Sequence, residues 1–446
     1  DLIGYHVWRQ TQTQTVINNF YSGDFCIFNP KLNDLSFNGD GLLRMEFPLY
    51  QWLIALTYKC TTNSILVTRI FTFIVGLFSM LGFYDLCKSI FKDKFLAAVG
   101  AWIICFSPIF YYYTINPLPD NMALCFGIFA LNFFVKYYET NKRKWLVFFG
   151  IMLCLSTLCK LPFILYVVPF VMFWFSTKRN KAESLIVFIC LLPALIWYAL
   201  VIGTWQGNGV VRGVLDNPVG WVNYLDYVQF NLISTLPELF INYAALLVFV
   251  CGLYFLFKRK VLRENKLALF FMMGLLAVFA YLFYELNLIA KVHDYYLFPF
   301  MPFLFLITVY GFKMMRQQNN ALKIVALFCI VLMPLTAYVR SQTRWDLIDP
   351  GFNVELLNNK QKIQAIIPAN AMCLAGNDDS KMIWLYYLNR KGYTFYYDDI
   401  NVASIEDYKS KGVSYLVCDA KLNEETKQYL KEPLATFNTV VIYKLK

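Results

Sequence analysis

Hydrophobic residues fall along this chain in long blocks, and the charged residues gather between the blocks. Residues 268–284 and 324–338 hold no charge at all, and 65–81 is interrupted only by Arg69. About 20 apolar residues are needed for a helix to cross the hydrocarbon of a bilayer. Hydropathy read with its charged flanks predicts spans at 64–87, 95–113, 121–138, 145–159, 161–176, 183–204, 236–257, 267–286, 297–312 and 321–340. The expected fold is a polytopic α-helical membrane protein with about 10 transmembrane helices.

The turns between these spans alternate in charge. Basic clusters occupy every second one: Lys88/Lys92/Lys94, Lys142/Arg143/Lys144, Lys178/Arg179/Lys181, Lys258/Arg259/Lys260/Arg263/Lys266 and Lys313/Arg316/Lys323. The positive-inside rule makes those turns cytoplasmic. Residues 1–63, 114–120, 205–235, 287–296 and everything beyond 340 are then expected on the outer side. Both ends outside imply a chain that enters its first span from outside, so an eleventh helix is expected ahead of Asp1.

Three domains follow. Residues 1–62 are an outer-face segment with interfacial helices, including 47–58, which is too short to cross and reads as a helix lying in the interface. Residues 63–340 are the transmembrane domain. From 341 to 446 the pattern changes to short apolar runs at 371–375, 414–418 and 440–443, separated by helical periodicity at 354–366, 380–389 and 423–430. Such alternation predicts a small α/β domain on the extracytoplasmic side.

Composition agrees: 59% of the 446 residues are hydrophobic and 15% charged, against about a quarter charged in soluble proteins. The net charge of +11 belongs to the membrane part, because residues 341–446 carry 13 Lys/Arg and 13 Asp/Glu. Aromatic residues sit within hydrophobic runs and not on a basic solvated face, which sets nucleic acid aside as a partner. The twelve Cys show no metal-ligand spacing. Cys26 with Cys60, or Cys373 with Cys418, are the pairs that an oxidising compartment would allow to bridge. The acidic pairs Asp378-Asp379 and Asp398-Asp399 lack calcium-loop spacing and read as solvated turns.

Charged groups at the ends of membrane helices are costly unless partnered or used. Arg9, Arg44, Glu46, Arg69, Asp120, Lys160, Lys291, His293 and Asp294 all fall in outer loops or outer helix ends. Carboxylates of this set can take a proton from an attacking hydroxyl, and its cations can hold a phosphate. A phosphate-bearing lipid substrate would use both. Singly, each has a plainer role: Arg9, Arg44 and Arg69 as interfacial anchors, and Asp120, in Pro117-Leu118-Pro119-Asp120, as a helix N-cap. With only two histidines in the chain, a metal site around His293 is not expected.

In the same residues the chain resembles the GT-C class of membrane glycosyltransferases, in particular the family 39-like group of protein O-mannosyltransferases and lipid A aminoarabinose transferases. The resemblance rests on His6-Val7-Trp8-Arg9-Gln10-Thr11-Gln12-Thr13, on Met45-Glu46-Phe47-Pro48-Leu49-Tyr50, on Pro119-Asp120, on Cys159-Lys160-Leu161-Pro162 and on Lys291-Val292-His293-Asp294-Tyr295-Tyr296. It implies an inverting enzyme of the bacterial inner membrane that moves a hexose or pentose from a polyprenyl-phosphate carrier to a glycan, lipid or protein acceptor on the outer face. No cofactor or metal is implied, the lipid-linked sugar being itself a substrate.

By the same resemblance Asp120 and Glu46 are the candidate catalytic carboxylates. Arg9, Arg44, Arg69, Lys160, Lys291 and His293 are candidates for the donor phosphate, and Trp8, Gln10, Gln12, Tyr50, Asp294, Tyr295 and Tyr296 for the rest of the substrates. Two positions depart from the family pattern. Phe47 stands where its Glu-Lys-Pro-Pro element has lysine, and Gln12 where an Arg-Gln-x-Asp-Thr pattern has aspartate. A transporter or flippase of a lipid-linked glycan is the competing class, and a non-catalytic scaffold a third; the first would favour internal repeats and charged or broken helices at mid-membrane.

Overall fold

The computed structural model describes residues 1–36, 39–177, 180–204, 213–215, 219–345, 349–396, 400–419 and 422–445. Lys178 and Arg179 of the third basic cluster, and the Asp398-Asp399 pair, lie outside the described residues. The chain forms two compact bodies: Met45–Tyr50 with Thr68–Arg344, and Asp1–Arg44 with Gln51–Val67 and Trp345–Lys446.

The first body is helical. Among the described residues seven helices are long and apolar enough to cross a membrane: Ile65–Phe91, Pro119–Thr140, Lys181–Thr204, Trp221–Lys258, Lys266–Tyr284, Asp294–Gln318 and Asn320–Arg344. The remaining three of the ten expected spans are shorter. The run 95–113 is divided into Lys94–Cys105 and Pro108–Tyr113, where Pro108 restarts the helix after Ser107. The run 145–159 is the 17-residue helix Arg143–Cys159. The run 161–176 opens as tight 3₁₀ turns, Leu161–Val167, before Val168–Thr177, because Pro162 and Pro169 supply no backbone N–H at the points where an α-helix would need them.

Ile65–Phe91 shows how such a helix packs. Thr68, Thr72, Gly76, Ser79 and Gly82 recur at helical spacing on the buried side, while Leu66, Ile70, Phe73, Phe78 and Leu81 are exposed. The inward face is the less hydrophobic one, as expected where the surrounding solvent is lipid and close backbone approach favours small residues. The hydroxyls of Thr72 and Ser79 donate to the carbonyls of Thr68 and Val75 at 2.8 and 3.0 Å, so neither is stranded. Where Tyr243–Lys258 crosses Met301–Gln318, Gly252 and Gly311 face each other's helix, and an added Cβ would collide with Ile307 O or Val248 O.

The second body holds a five-stranded sheet. Its strands are β1 (Met372–Gly376), β2 (Gly392–Thr394), β3 (Val413–Cys418), β4 (Ala435–Phe437) and β5 (Val440–Lys444), in the order β2-β1-β3-β5-β4. β2, β1 and β3 run parallel; β5 is antiparallel to β3 and forms a hairpin with β4. Alternation along the strands sends Cys373, Ala375, Tyr415 and Val417 into one apolar cluster, which includes Val7 of the helix Val7–Ser22. Leu374, Leu416 and Cys418 enter the other. Cys373 and Cys418 therefore lie on opposite faces of the sheet and cannot bridge. All twelve cysteines are free, the Cys26/Cys60 pair included. Asp378 is not a solvated turn: it is 5% exposed and accepts from Ile383 N and Trp384 N, both at 2.9 Å, anchoring the start of the helix Ile383–Leu388. Burial pushes its carboxyl above the ordinary range.

Candidate active site

Two helix ends meet in the helical body. Pro119–Thr140 starts with Leu118 in extended conformation and Pro119 as its first residue, a position where proline costs no hydrogen bond. Asp120 follows within the first turn, completely buried, where a carboxylate is favoured by the helix dipole; it is not the cap itself, that position being Leu118. Arg143–Cys159 stops where Lys160 turns to extended backbone (φ −159°, ψ 118°) ahead of Leu161-Pro162. Pro162 has no N–H to donate to Leu158 O, so the α-helix cannot run on through it and the break falls beside the lysine.

Lys160 Nζ lies 3.3 Å from Asp120 Oδ1, 4.5 Å from the ring centre of Tyr296 and 5.5 Å from that of Tyr295. The two tyrosines stack, with centroids 5.0 Å apart. A cation so held has a carboxylate on one side and the negative faces of two rings on the other. It also lines a cleft of about 540 Å³ with Glu46, Tyr198, Tyr281, Tyr284, Glu285 and Tyr296, the rest of the wall being mostly apolar. Glu46 is fixed through its neighbours: Phe47 N donates to Leu158 O at 2.9 Å and Trp197 Nε1 to Met45 O at 3.0 Å. Tyr198 reaches from the helix Lys181–Val201 to donate to Thr157 O and Leu158 O at 3.0 and 3.2 Å.

The remaining candidates are distributed unevenly. Asp294 is buried, accepting from Tyr113 Oη at 2.9 Å with an Arg344 guanidinium nitrogen 3.6 Å away. His293 Nδ1 is 2.8 Å from Leu288 O. Lys291 is 42% exposed, pairs with Asp226 at 2.5 Å and stays off the cleft wall. Tyr50 is a core residue bonded to Thr72, and Arg69 is half-buried on Ile65–Phe91. Trp8, Arg9, Gln10, Gln12 and Arg44 belong to the other body. There Arg9 donates to Gln12, Gln10 donates to Tyr5 O at 3.1 Å, Trp8 packs on the apolar core that includes Val7, and Arg44 is exposed.

Sequence reading brings Glu46, Lys160 and Tyr296 to the cleft, with Asp120 against Lys160 and Tyr295 stacked on Tyr296; Asp294 is engaged elsewhere, with Tyr113 and Arg344. It misses Tyr198, Tyr281 and Glu285. Glu285 had a signal: it is the first charge after the uncharged run 268–284.

Residues 46–203, the segment that carries Glu46, Asp120 and Lys160, match the family model of dolichyl-phosphate-mannose-protein mannosyltransferase. No curated protein matches the sequence. Among solved structures the chain is similar to ArnT from Cupriavidus metallidurans in the apo state, with 11% identity, a TM-score of 0.67 and coverage of 100% of this chain and 94% of that one. It is similar also to the same protein bound to undecaprenyl phosphate, with 11% identity, a TM-score of 0.64 and coverage of 99% and 94%. The family match covers one wall of the cleft, Glu46 and Lys160 included, and the fold is shared with those structures from end to end: the chain is a multi-pass membrane glycosyltransferase with their fold.

Proposed function

We propose that the chain transfers a sugar from a polyprenyl-phosphate carrier to an acceptor hydroxyl, inverting the anomeric carbon, on the extracytoplasmic side of a bacterial inner membrane. The observation that carries this reading is Lys160, a buried cation on the wall of a largely apolar cleft, braced by Asp120 and the Tyr295/Tyr296 stack. A lipid phosphate matches both qualities of that wall: its charge suits the lysine and its chain suits the apolar lining. The undecaprenyl phosphate held by the similar ArnT structure is of this ligand class.

Glu46 lines the cleft and Asp120 does not, which favours Glu46 as the base and leaves Asp120 to position Lys160. In the proposed step the acceptor O–H gives its proton to Glu46 and its oxygen bonds to C1 of the sugar. The C1–O bond to phosphate breaks, and its electron pair leaves on the phosphate oxygen. Lys160 neutralises that leaving group. A preorganised cation of this kind contributes roughly 3 to 4 kcal/mol to lowering the barrier. The scheme calls for no cofactor, and its acceptor is a glycan, lipid or protein hydroxyl.

The test is transfer from radiolabelled polyprenyl-phosphate sugars in membranes containing the full chain, beside Glu46→Gln. The variant is expected to keep donor binding and lose turnover. Donor that crosses between leaflets without being consumed would replace the transferase reading with that of a flippase.

A further inference from the structure

The helix Lys266–Tyr284 ends at the cleft, and its last turn carries two polar groups that the scheme above does not use. Tyr281 and Glu285 are four residues apart, hence on one face of the helix, and Glu285 N donates to Tyr281 O at 2.9 Å, so the turn is intact between them. Both line the cleft that also holds Lys160. Glu285 is 4% exposed. Its Oε2 and the hydroxyl of Tyr281 are both buried with no hydrogen-bond partner among the described residues.

Packing does not account for this pair. A buried carboxyl oxygen without a partner loses its hydration and recovers nothing. The neighbouring wall, Ala277, Ala280 and Leu288, has nothing to offer it.

A ligand that fits must bring groups that donate as well as accept, to serve the carboxyl of Glu285 and the hydroxyl of Tyr281 together. A phosphate brings acceptors and negative charge, and a polyprenyl chain brings neither donor nor acceptor. The remaining portion of a polyprenyl-phosphate sugar, its hydroxyl-bearing ring, brings donors. We propose that Glu285 and Tyr281 form the donor-sugar subsite: the carboxylate accepts from ring hydroxyls, and the tyrosine hydroxyl bonds beside it while Lys160 holds the phosphate. The small side chains of Ala277 and Ala280 leave the ring room against the same wall. This assignment rests on the transferase reading and specifies which residues of that site discriminate among sugars.

The test compares equilibrium binding of bare polyprenyl phosphate with binding of polyprenyl phosphates bearing a panel of neutral hexoses and pentoses, using the purified full chain in nanodiscs. Wild type is expected to bind at least one glycosylated carrier more tightly than the bare one. Glu285→Ala should erase that increment, roughly tenfold, while bare-carrier affinity stays within about twofold. Tyr281→Phe, which deletes one oxygen and no volume, should erase part of it. Glu285→Gln, which keeps an acceptor oxygen, should restore part.

Equal weakening of both ligands, no change in either, or a wild type with no increment for any sugar overturns the subsite. A wild type that does not bind bare polyprenyl phosphate overturns the transferase reading instead.

Discussion

Each body of this protein buries a cation, and the two are treated in opposite ways. Arg390, in the α/β body, is 8% exposed and donates to five backbone carbonyls, those of Gln364, Ile367, Pro368, Leu388 and Asn389. Its hydrogen-bonding capacity is consumed by the polypeptide, and it staples the end of the helix Val354–Ile366 to the approach of β2. Lys160, in the helical body, is as deeply buried but stands at a cleft wall beside one carboxylate and two aromatic faces. Burial alone therefore does not mark the charge proposed to meet substrate. What marks it is an environment built from side chains at helix ends and opening on a cavity.

The sharpest way to break this comparison is to neutralise both cations. Lys160→Met should cut transfer by roughly 10²–10³-fold, the scale of losing one preorganised charge at a developing anion, while the unfolding temperature stays near wild type. Arg390→Met should do the reverse. Five buried carbonyls lose their donor, and stability of the α/β body should fall by about 3 kcal/mol in denaturant titration, with transfer per folded molecule unchanged. If Arg390→Met abolishes transfer in protein shown to be folded, the division of labour is wrong.

Asp120→Asn removes the counter-charge of Lys160 and keeps its shape. Donor KM should rise about tenfold, about 1.4 kcal/mol, with a smaller change in kcat; a kcat collapse at unchanged KM would return the base role to Asp120. The smallest effect belongs to Asp93, whose side chain caps Lys94–Cys105 by accepting from Phe95 N and Leu96 N at 2.8 and 3.2 Å. Asp93→Ala should cost about 1 kcal/mol of stability and leave transfer alone.

The same contrast explains what could be read in advance. Every expected span coincides with a helical segment, because an uncharged apolar run has few alternatives in lipid. The strands at 371–375, 414–418 and 440–443 are likewise present, each extended or shifted by a residue. β2 and β4 were not legible: each is a three-residue edge strand that pairs on one side only, and its sequence carries no alternation to detect. In the site, Lys160 and Asp120 stood out because they interrupt apolar sequence where helices turn. Lys291, His293, Asp294, Tyr295 and Tyr296 form one motif in sequence, yet the turns through Asp294–Phe300 send their side chains to different places: an exposed ion pair, a backbone carbonyl, a half-buried guanidinium and the cleft. Spacing along a strand or helix assigns a side; spacing around a tight turn does not. Glu285 was hidden for another reason, since a lone acid at the end of a span reads as an ordinary boundary.

The crossing at Gly252 and Gly311 carries a lesson about descent. The obstacle to a Cβ at either position is main chain, Ile307 O or Val248 O, which no rotamer change can move aside. A second mutation that shrinks a neighbouring side chain cannot compensate: trimming Ile307, whose Cγ2 would lie 3.1 Å from a Cβ on Gly252, leaves the carbonyl in place. The two glycines are thus expected to persist together in any lineage that keeps this helix crossing, and a homologue lacking one of them should have moved the whole helix.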